Sequence, residues 1–313
     1  RSQILCSLRK FFSQRDFIEV ETPHLLKYAG CEMHIEQFET TYRSSEGTIP
    51  LYLATSPELH MKRLLNVGLE RYYQLGRCFR NGERSAQHNP EFTMIEWYQA
   101  YASYEDIMDQ TEELVANVWS EVVGTQSPLW RTVVEERPWR RLSVKDAFEQ
   151  CVGVDIGKLR DRKGLYKALQ GVGFSSADET DTWEDLFNKV LIEKIEPHLA
   201  LGGPSFLYDY PNQLGAMSRQ KESDGRWVER VELYLSGIEL ANGYTELNDP
   251  VEQRRRFTQA RCLQWNAPID EDFIRSMERA IPPAGGMALG VDRLVMLATE
   301  ANSIDEVLPF PFT

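Results

Sequence analysis

The sequence predicts an α+β fold whose core is an antiparallel β-sheet flanked by helices. Three observations point there. Two apolar alternating runs, Tyr72–Arg80 and Glu91–Tyr98, are separated only by a polar loop and suit a long-looped hairpin. A second pair, VELYLSGIELANGYTEL, carries a Ser236-Gly237 turn at its centre. Helical stretches of mixed length separate these hairpins, which argues against the regular alternation of a parallel βαβ sheet.

The elements follow in order. Ile4, Leu5, Leu8, Phe11 and Phe12 fall at helical spacing, so residues 1–15 read as an amphipathic helix. FIEVETP reads as a strand ended by Pro23. In TSPELHMKRLL, Ser56 suits an N-cap, Pro57 the first helical position and Glu58 the first turn, with Gly68 near the end of the helix. From Tyr104 to Val123 apolar residues recur every three or four, predicting one long helix. Residues 125–141 hold two prolines and read as a connection. Residues 143–200 read as helices broken by glycines, with 175–185 acidic and exposed, so 125–200 forms a helical insertion. Strands return in FLYDYP and the second hairpin. GGMALGVDRLVMLATE reads as strand, glycine turn and helix, with Arg293 in the helix's first turn.

With 313 residues the chain can bury a large core in one or two domains. No apolar run approaches the roughly 20 residues of a membrane span, and no signal peptide is visible. The chain opens at Arg1 with no Met, as it would if an upstream segment had been removed. Its cysteines, at 6, 31, 78, 151 and 262, are dispersed and odd in number. That pattern fits a reducing cytoplasm and offers no zinc motif. The net charge of −13 argues against a large nucleic-acid footprint. The short basic clusters, Arg9-Lys10 and Arg254 to Arg256, read as solvated helix faces.

The chemistry gathers on three segments. Side chains alternate along a strand, so Phe92, Met94, Glu96 and Tyr98 share one face. A carboxylate in so apolar a strand is costly unless paired, and Glu96 therefore invites a cation. In the second hairpin the turn sets Tyr234 opposite Glu239 and Glu232 diagonal to it, two carboxylates roughly 7 Å apart that suit magnesium. Near the end, the glycines of AGGMALG let backbone approach a flat ligand closely. Neither a GxxxxGK[ST] loop nor a Rossmann GxGxxG fingerprint is present.

Together these segments resemble the catalytic domain of class II aminoacyl-tRNA synthetases, in the lysyl branch. FIEVETP is similar to motif 1, GRCFRN…HNPEFTMIEWY to motif 2 and GMALGVDRLVML to motif 3. TSPELHMKRLL and NGYTELNDPVEQRRRF are similar to lysyl-specific segments, and the resemblance runs from about Ser2 to Phe310. It implies ATP as substrate, magnesium as cofactor and a homodimer with motif 1 at its two-fold axis. Arg80 would hold the α-phosphate, and Arg293 would cover the adenine and the γ-phosphate. Asn81, Gly82, Glu83, His88, Asn89, Phe92, Leu240 and Gly290 would lie along ATP, with Phe92 under the adenine. Glu232 and Glu239 would carry magnesium. Glu58, Glu96, Tyr98 and Glu246 would form a lysine pocket, with Ser56, Pro57, Asn242, Tyr244 and Ala288 around it.

Four features depart from an ordinary lysyl-tRNA synthetase. The chain begins at the catalytic domain, where those enzymes carry an anticodon-binding domain first. Ala288 stands where they usually have glycine. EWY and SGIELANGY replace their usual strings. These three resemble the truncated paralogues that attach lysine or (R)-β-lysine to a lysine of elongation factor P, with tRNA not the acceptor. The fourth is shared with neither group: Gly82 stands at the usual motif 2 glutamate, and Glu83 follows. A lysyl-tRNA synthetase catalytic domain and a non-catalytic binding module of the same fold are the alternatives.

Overall fold

In the computed structural model, which describes residues 1–30, 35–264, 268–279 and 281–312, two sheets organise the chain. The first part runs α1 (Ser2–Ser13), β1 (Ile18–Glu19), β2 (Leu25–Leu26), β3 (Glu39–Ser44), β4 (Gly47–Leu53) and α2 (Glu58–Leu64). There follow β5 (Arg71–Phe79), β6 (Glu91–Ala100), α3 (Tyr104–Val118) and β7 (Arg140–Ser143). Four helices come next: α4 (Val144–Val152), α5 (Arg162–Gly171), α6 (Trp183–Val190) and α7 (Glu196–Ala200). The last part is β8 (Ser205–Pro211), β9 (Trp227–Leu235), β10 (Ile238–Thr245), α8 (Pro250–Gln264), α9 (Glu271–Met277), β11 (Ala284–Gly290) and α10 (Val291–Thr299).

The large sheet has the order β1-β5-β6-β11-β10-β9-β8-β7, and β2-β4-β3 form a small separate one. The expected α+β class holds, with one amendment. The six strands from β5 to β8 are antiparallel, but β1 and β7 add in parallel at the two edges. Both edge strands are reached through long connections, which lets them run in either direction.

One face of the large sheet is filled by α1, α3 and α10. Leu8, Phe12, Ile107, Leu114 and Leu294 pack there on Ile95, Trp97 and Leu289. The other face carries two separate clusters. Met61, Phe257, Phe273 and Ile274 from α2, α8 and α9 pack on Tyr72 and Tyr98. Helices α4 to α7 of the predicted insertion pack through Phe148, Leu165 and Phe187 on Leu207, Tyr210 and Tyr234. The face between those clusters is left to the cavity described below.

Several sequence expectations are amended. The motif 1 strand is only two residues long and ends before Pro23, although Val20 still donates to the Tyr73 carbonyl. Helix α2 starts one residue late: Pro57 is its N-cap, and the Ser56 hydroxyl accepts a long 3.4 Å bond from the Glu58 amide. Gly68 does close that helix, at φ 83. The helix from Tyr104 holds to Val123 by way of a π turn. The connection 125–141 contains the start of β7, and β11 passes straight into α10 with Gly290 as N-cap at φ −73, so no separate turn intervenes. Arg254 and Arg255 are exposed, but Arg256 is not solvated: it pairs with Glu252 and donates to the carbonyls of Gly215, Ala216 and Ser218. Cys6, Cys78 and Cys151 are free, whereas Cys31 and the side chain of Cys262 lie outside the described residues. Among the described residues no helix is long and apolar enough to cross a membrane.

Candidate functional site

A cavity of about 1190 Å³ opens on the sheet between the two clusters. Sheet register decides what faces it. Glu96 of β6 pairs with Gln74 on one side and Ala288 on the other, Ala288 pairs with Asn242, and Asn242 with Glu232. That row crosses five strands. The neighbouring row runs Tyr72, Tyr98, Gly286, Tyr244 and Arg230. Residues two apart on a strand share a face, so one wall carries Phe92, Met94, Glu96 and Tyr98, as the alternation predicts.

One end of the cavity is acidic. Glu58 from α2, Glu96 from β6 and Glu246 just after β10 all reach it. The Tyr72 hydroxyl donates to the Met61 carbonyl at 2.8 Å, which seats α2 against the sheet and brings Glu58 in. The Glu246 amide donates to the Ala284 carbonyl at 2.8 Å, which fixes that side chain beside Gly286. A β-carbon on Gly286 would lie 2.5 Å from Glu246 Oε1 and 2.6 Å from Tyr98 Cε1, so the pocket needs glycine there. Glu96 accepts from the Tyr98 hydroxyl at 2.6 Å through Oε1, while its buried Oε2 has no partner. Burial, then the Glu58 charge, hold the Glu96 carboxyl well above the usual range. Burial likewise pushes Glu246 up to about 7.

A residue that the sequence reading did not place joins this end. The Lys62 ammonium, 2% exposed, sits 2.7 Å from Glu58 Oε1 and 2.5 Å from Glu246 Oε2. Its two carboxylate partners outweigh its burial and push it up to about 12. The signal was available as an i, i+4 Glu–Lys pair on one helix face.

The other end is basic. Arg80 closes β5 with its guanidinium 5.1 Å over the Phe92 ring and 3.8 Å from Glu83. Arg293, in the first turn of α10, donates to the Glu239 carbonyl at 2.6 Å and contacts His88 Nε2 at 2.6 Å. Asp292 Oδ2 accepts the Thr93 amide at 2.6 Å, which ties that turn to β6 and aims Arg293 inward. Burial, then Arg293, lower the pKa of His88.

Not every expected residue reaches the cavity. Ser56, Glu58, Glu83, His88, Asn89, Leu240, Asn242, Tyr244, Glu246, Ala288 and Gly290 line it. Asn81 and Gly82 do not: the Asn81 amide donates to Glu36 at 2.6 Å, its oxygen takes the Gly82 N–H, and Gly82 turns away at φ 73. Pro57 is buried as the N-cap of α2 and does not line the cavity. The Asn89 side chain donates to the Glu91 carbonyl and accepts from the Phe312 amide.

The carboxylates of the second hairpin also depart from expectation. Tyr234 lies opposite Glu239, as predicted, but a bulge between Glu239 and Ala241 shifts the register and puts Asn242 opposite Glu232. Glu232 accepts from Arg230 at 2.6 Å, Asn242 at 3.3 Å, Tyr234 at 2.8 Å and the Tyr210 hydroxyl. Those four donors fill the lone pairs of one carboxylate. Glu239 keeps 40% side-chain exposure to the cavity, and burial of its surroundings with repulsion from Glu232 push it up to about 7. Of the two, Glu239 is thus the carboxylate that fits a divalent cation, and Glu232 fits as the brace behind it. Among the described residues no cluster of three His, Cys, Asp or Glu side chains is placed to hold a metal ion.

Comparison with known proteins agrees with this layout. The family model described as tRNA synthetases class II (D, K and N) matches residues 1–313. The chain belongs to that family. Among its relatives, the lysine–tRNA ligase of Synechococcus sp. (strain CC9311) is 39% identical over 318 residues, covering 99% of this chain and 64% of the relative. That of Carboxydothermus hydrogenoformans is also 39% identical over the same shares. That of Staphylococcus aureus (strain MRSA252) is 39% identical, covering 100% of this chain and 63% of the relative. The chain thus spans somewhat less than two thirds of the length of these ligases. As a class II synthetase domain it carries the large sheet with a basic end and an acidic end on one face.

Proposed function

We propose that the chain activates lysine or (R)-β-lysine with ATP and passes it to a lysine side chain of elongation factor P. The observation that carries the amino-acid class is Glu96, a buried carboxylate on the cavity wall whose Oε2 has no partner. An amino acid with a cationic side chain supplies the missing charge, and few other small substrates would.

In this reading the amino acid lies with its ammonium at Glu96 and its carboxylate toward Arg80. The carboxylate oxygen attacks the α-phosphorus of ATP, a P–O bond forms, and pyrophosphate leaves. Arg80 and Arg293 offset charge on the phosphates, and no general acid is needed. Glu239 would hold magnesium, which supplies charge neutralisation for the phosphates. An unprotonated lysine amine of the acceptor then attacks the acyl carbon, an amide forms, and AMP leaves.

The choice of a protein acceptor rests on Ala288, which stands between Glu96 and Asn242 where the synthetases usually have glycine. The net charge of −13 is also a poor match for a long polyanion. A second reading, the catalytic domain of a lysyl-tRNA synthetase, is favoured by the 39% identity to lysine–tRNA ligases across 99% of the chain. Incubation with ATP, magnesium and each lysine isomer, with either the factor or total tRNA, separates the two. A lysyl-sized mass gain on the factor, lost when its loop lysine is replaced, is the expected result. Charged tRNA with unmodified factor would overturn it.

A further inference from the structure

The loop that joins β5 to β6, residues 80–90, is gripped from two sides. On the cavity side Arg293 contacts His88 Nε2 at 2.6 Å and donates to the Gln87 carbonyl at 3.4 Å. On the outer side the loop meets the segment that follows α10. Arg84 donates to Asp305 Oδ2 at 2.7 Å and to the Phe312 carbonyl at 3.0 Å. The Ile304 amide donates to the Ala86 carbonyl at 2.7 Å, and the Phe312 amide to Asn89 Oδ1 at 3.0 Å. Arg84 does not line the cavity, whereas Glu83, Gln87, His88 and Asn89 of the same loop do.

The outer segment is a firm anchor. Ile304 and Leu308 are buried against Met296 of α10. The turn Ile304–Glu306 is closed by a capping box between Ser303 and Glu306. One buried oxygen of Asp305, Oδ1, has no partner, and Arg84 is the cation that compensates this carboxylate. The segment thus acts as a strap that ties the loop to the same helix that carries Arg293.

We propose that Arg84 is a positioning residue that fastens the 80–90 loop to the segment after α10, so that the loop keeps its place when Arg293 turns from it to a nucleotide's phosphates. This rests on the ATP reading given above. A guanidinium that serves the phosphates gives up its bonds to Gln87 and His88, so the inner grip is lost when the loop is needed. The outer grip touches no substrate and stays.

Arg84 and Asp305 keep side-chain exposures of 37 and 38%, so their pair contributes little to global stability. A loop is held by far less than the whole fold, and the same pair can govern its local equilibrium. When fewer molecules have the loop in place, apparent affinity falls in proportion. Arg84→Ala should therefore raise KM for ATP by about fivefold. KM for lysine, kcat and the thermal midpoint should stay near wild-type values. Asp305→Ala should act alike, and the double variant should be no worse than either single one, because one interaction can be lost only once. Reversing the pair, Arg84→Asp with Asp305→Arg, should recover part of the loss.

Deuterium exchange at the Ile304 and Phe312 amides tests the strap without any nucleotide, and it should be faster in Arg84→Ala. If the wild type binds no ATP, the nucleotide reading falls, while faster exchange still supports the tether. Unchanged exchange in the variant would sink the tether itself. Equal rises in KM for both substrates with a lowered thermal midpoint would show a role in the fold alone and overturn the proposal. So would additive losses in the double variant, or faster exchange with KM for ATP unmoved.

Discussion

Ala288 stands directly opposite Glu96 across the β11–β6 ladder, and directly opposite Asn242 across the β11–β10 ladder. Its methyl group therefore rises between the carboxylate proposed to read the substrate's ammonium and the amide beside Glu232. A methyl of this kind is worth about 1–3 kcal/mol of discrimination between similar substrates. Ala288→Gly should shift preference toward α-lysine over (R)-β-lysine by roughly tenfold or more. Exchange of pyrophosphate into ATP, measured with both isomers, reads this out; an unchanged ratio would remove Ala288 from the specificity argument.

Glu96→Gln removes the carboxylate and keeps its shape. Loss of one partner from a desolvated ion pair costs about 3–5 kcal/mol, so lysine-dependent exchange should fall by roughly two to three decades. ATP binding, at the far end of the cavity, should change little. Normal exchange in the variant would sink the assignment of the pocket.

Gly286→Ala should be damaging out of proportion to its one added carbon. Its β-carbon would meet Glu246 Oε1 at 2.5 Å and Tyr98 Cε1 at 2.6 Å, and both side chains are packed in place. Overpacking of this kind costs about 1–3 kcal/mol. A lowered thermal midpoint with lost lysine response is expected; wild-type values for both would show that the wall yields.

Proton linkage gives a test that needs no mutation. Glu239 and Glu246 are pushed from 4.5 up to about 7. The folded chain therefore binds more protons than the unfolded chain between those values. Their contribution to stability is fully present below 4.5 and is lost as pH rises through about 7. The ligand acts through a third carboxyl: burial holds Glu96 well above the usual range, and a lysine ammonium binds it best once its proton is lost. Saturating lysine should raise the thermal midpoint more at about pH 8 than at about pH 5.5. A ligand shift independent of pH would contradict the charge account of the pocket.

The chain is expected to be a homodimer through the β1 side of the large sheet and the small sheet. Ile18, Leu25, Tyr42 and Ile49 are exposed there, at 54, 55, 55 and 47%. An isologous two-fold interface would cover them. Sedimentation at micromolar concentration should give a dimer, and Ile18→Glu should weaken it; a monomeric wild type would refute the expectation.

Much of this protein was fixed locally and was legible in the sequence. Alternation placed Phe92, Met94, Glu96 and Tyr98 on one face, because the pleat allows no other arrangement. Ser236 and Gly237 take φ 53 and 77, the left-handed pair that a two-residue hairpin turn needs. Arg293 followed from a strand that runs into a helix. The exposed strand β3 has no buried face, so no alternation announced it.

What the tertiary structure decided depends on groups distant in sequence. The bulge between Glu239 and Ala241 set Asn242, and not Ala241, opposite Glu232. The side chains of Arg230, Tyr210 and Tyr234 then filled Glu232 and left Glu239 to face the cavity. Lys62 reads in sequence as a helix-surface cation. Only the packing of α2 against β5 and the end of β10 buries it between Glu58 and Glu246. Burial is a property of what a side chain is packed against, and a buried charge takes its role from the partners that packing brings within about 3 Å.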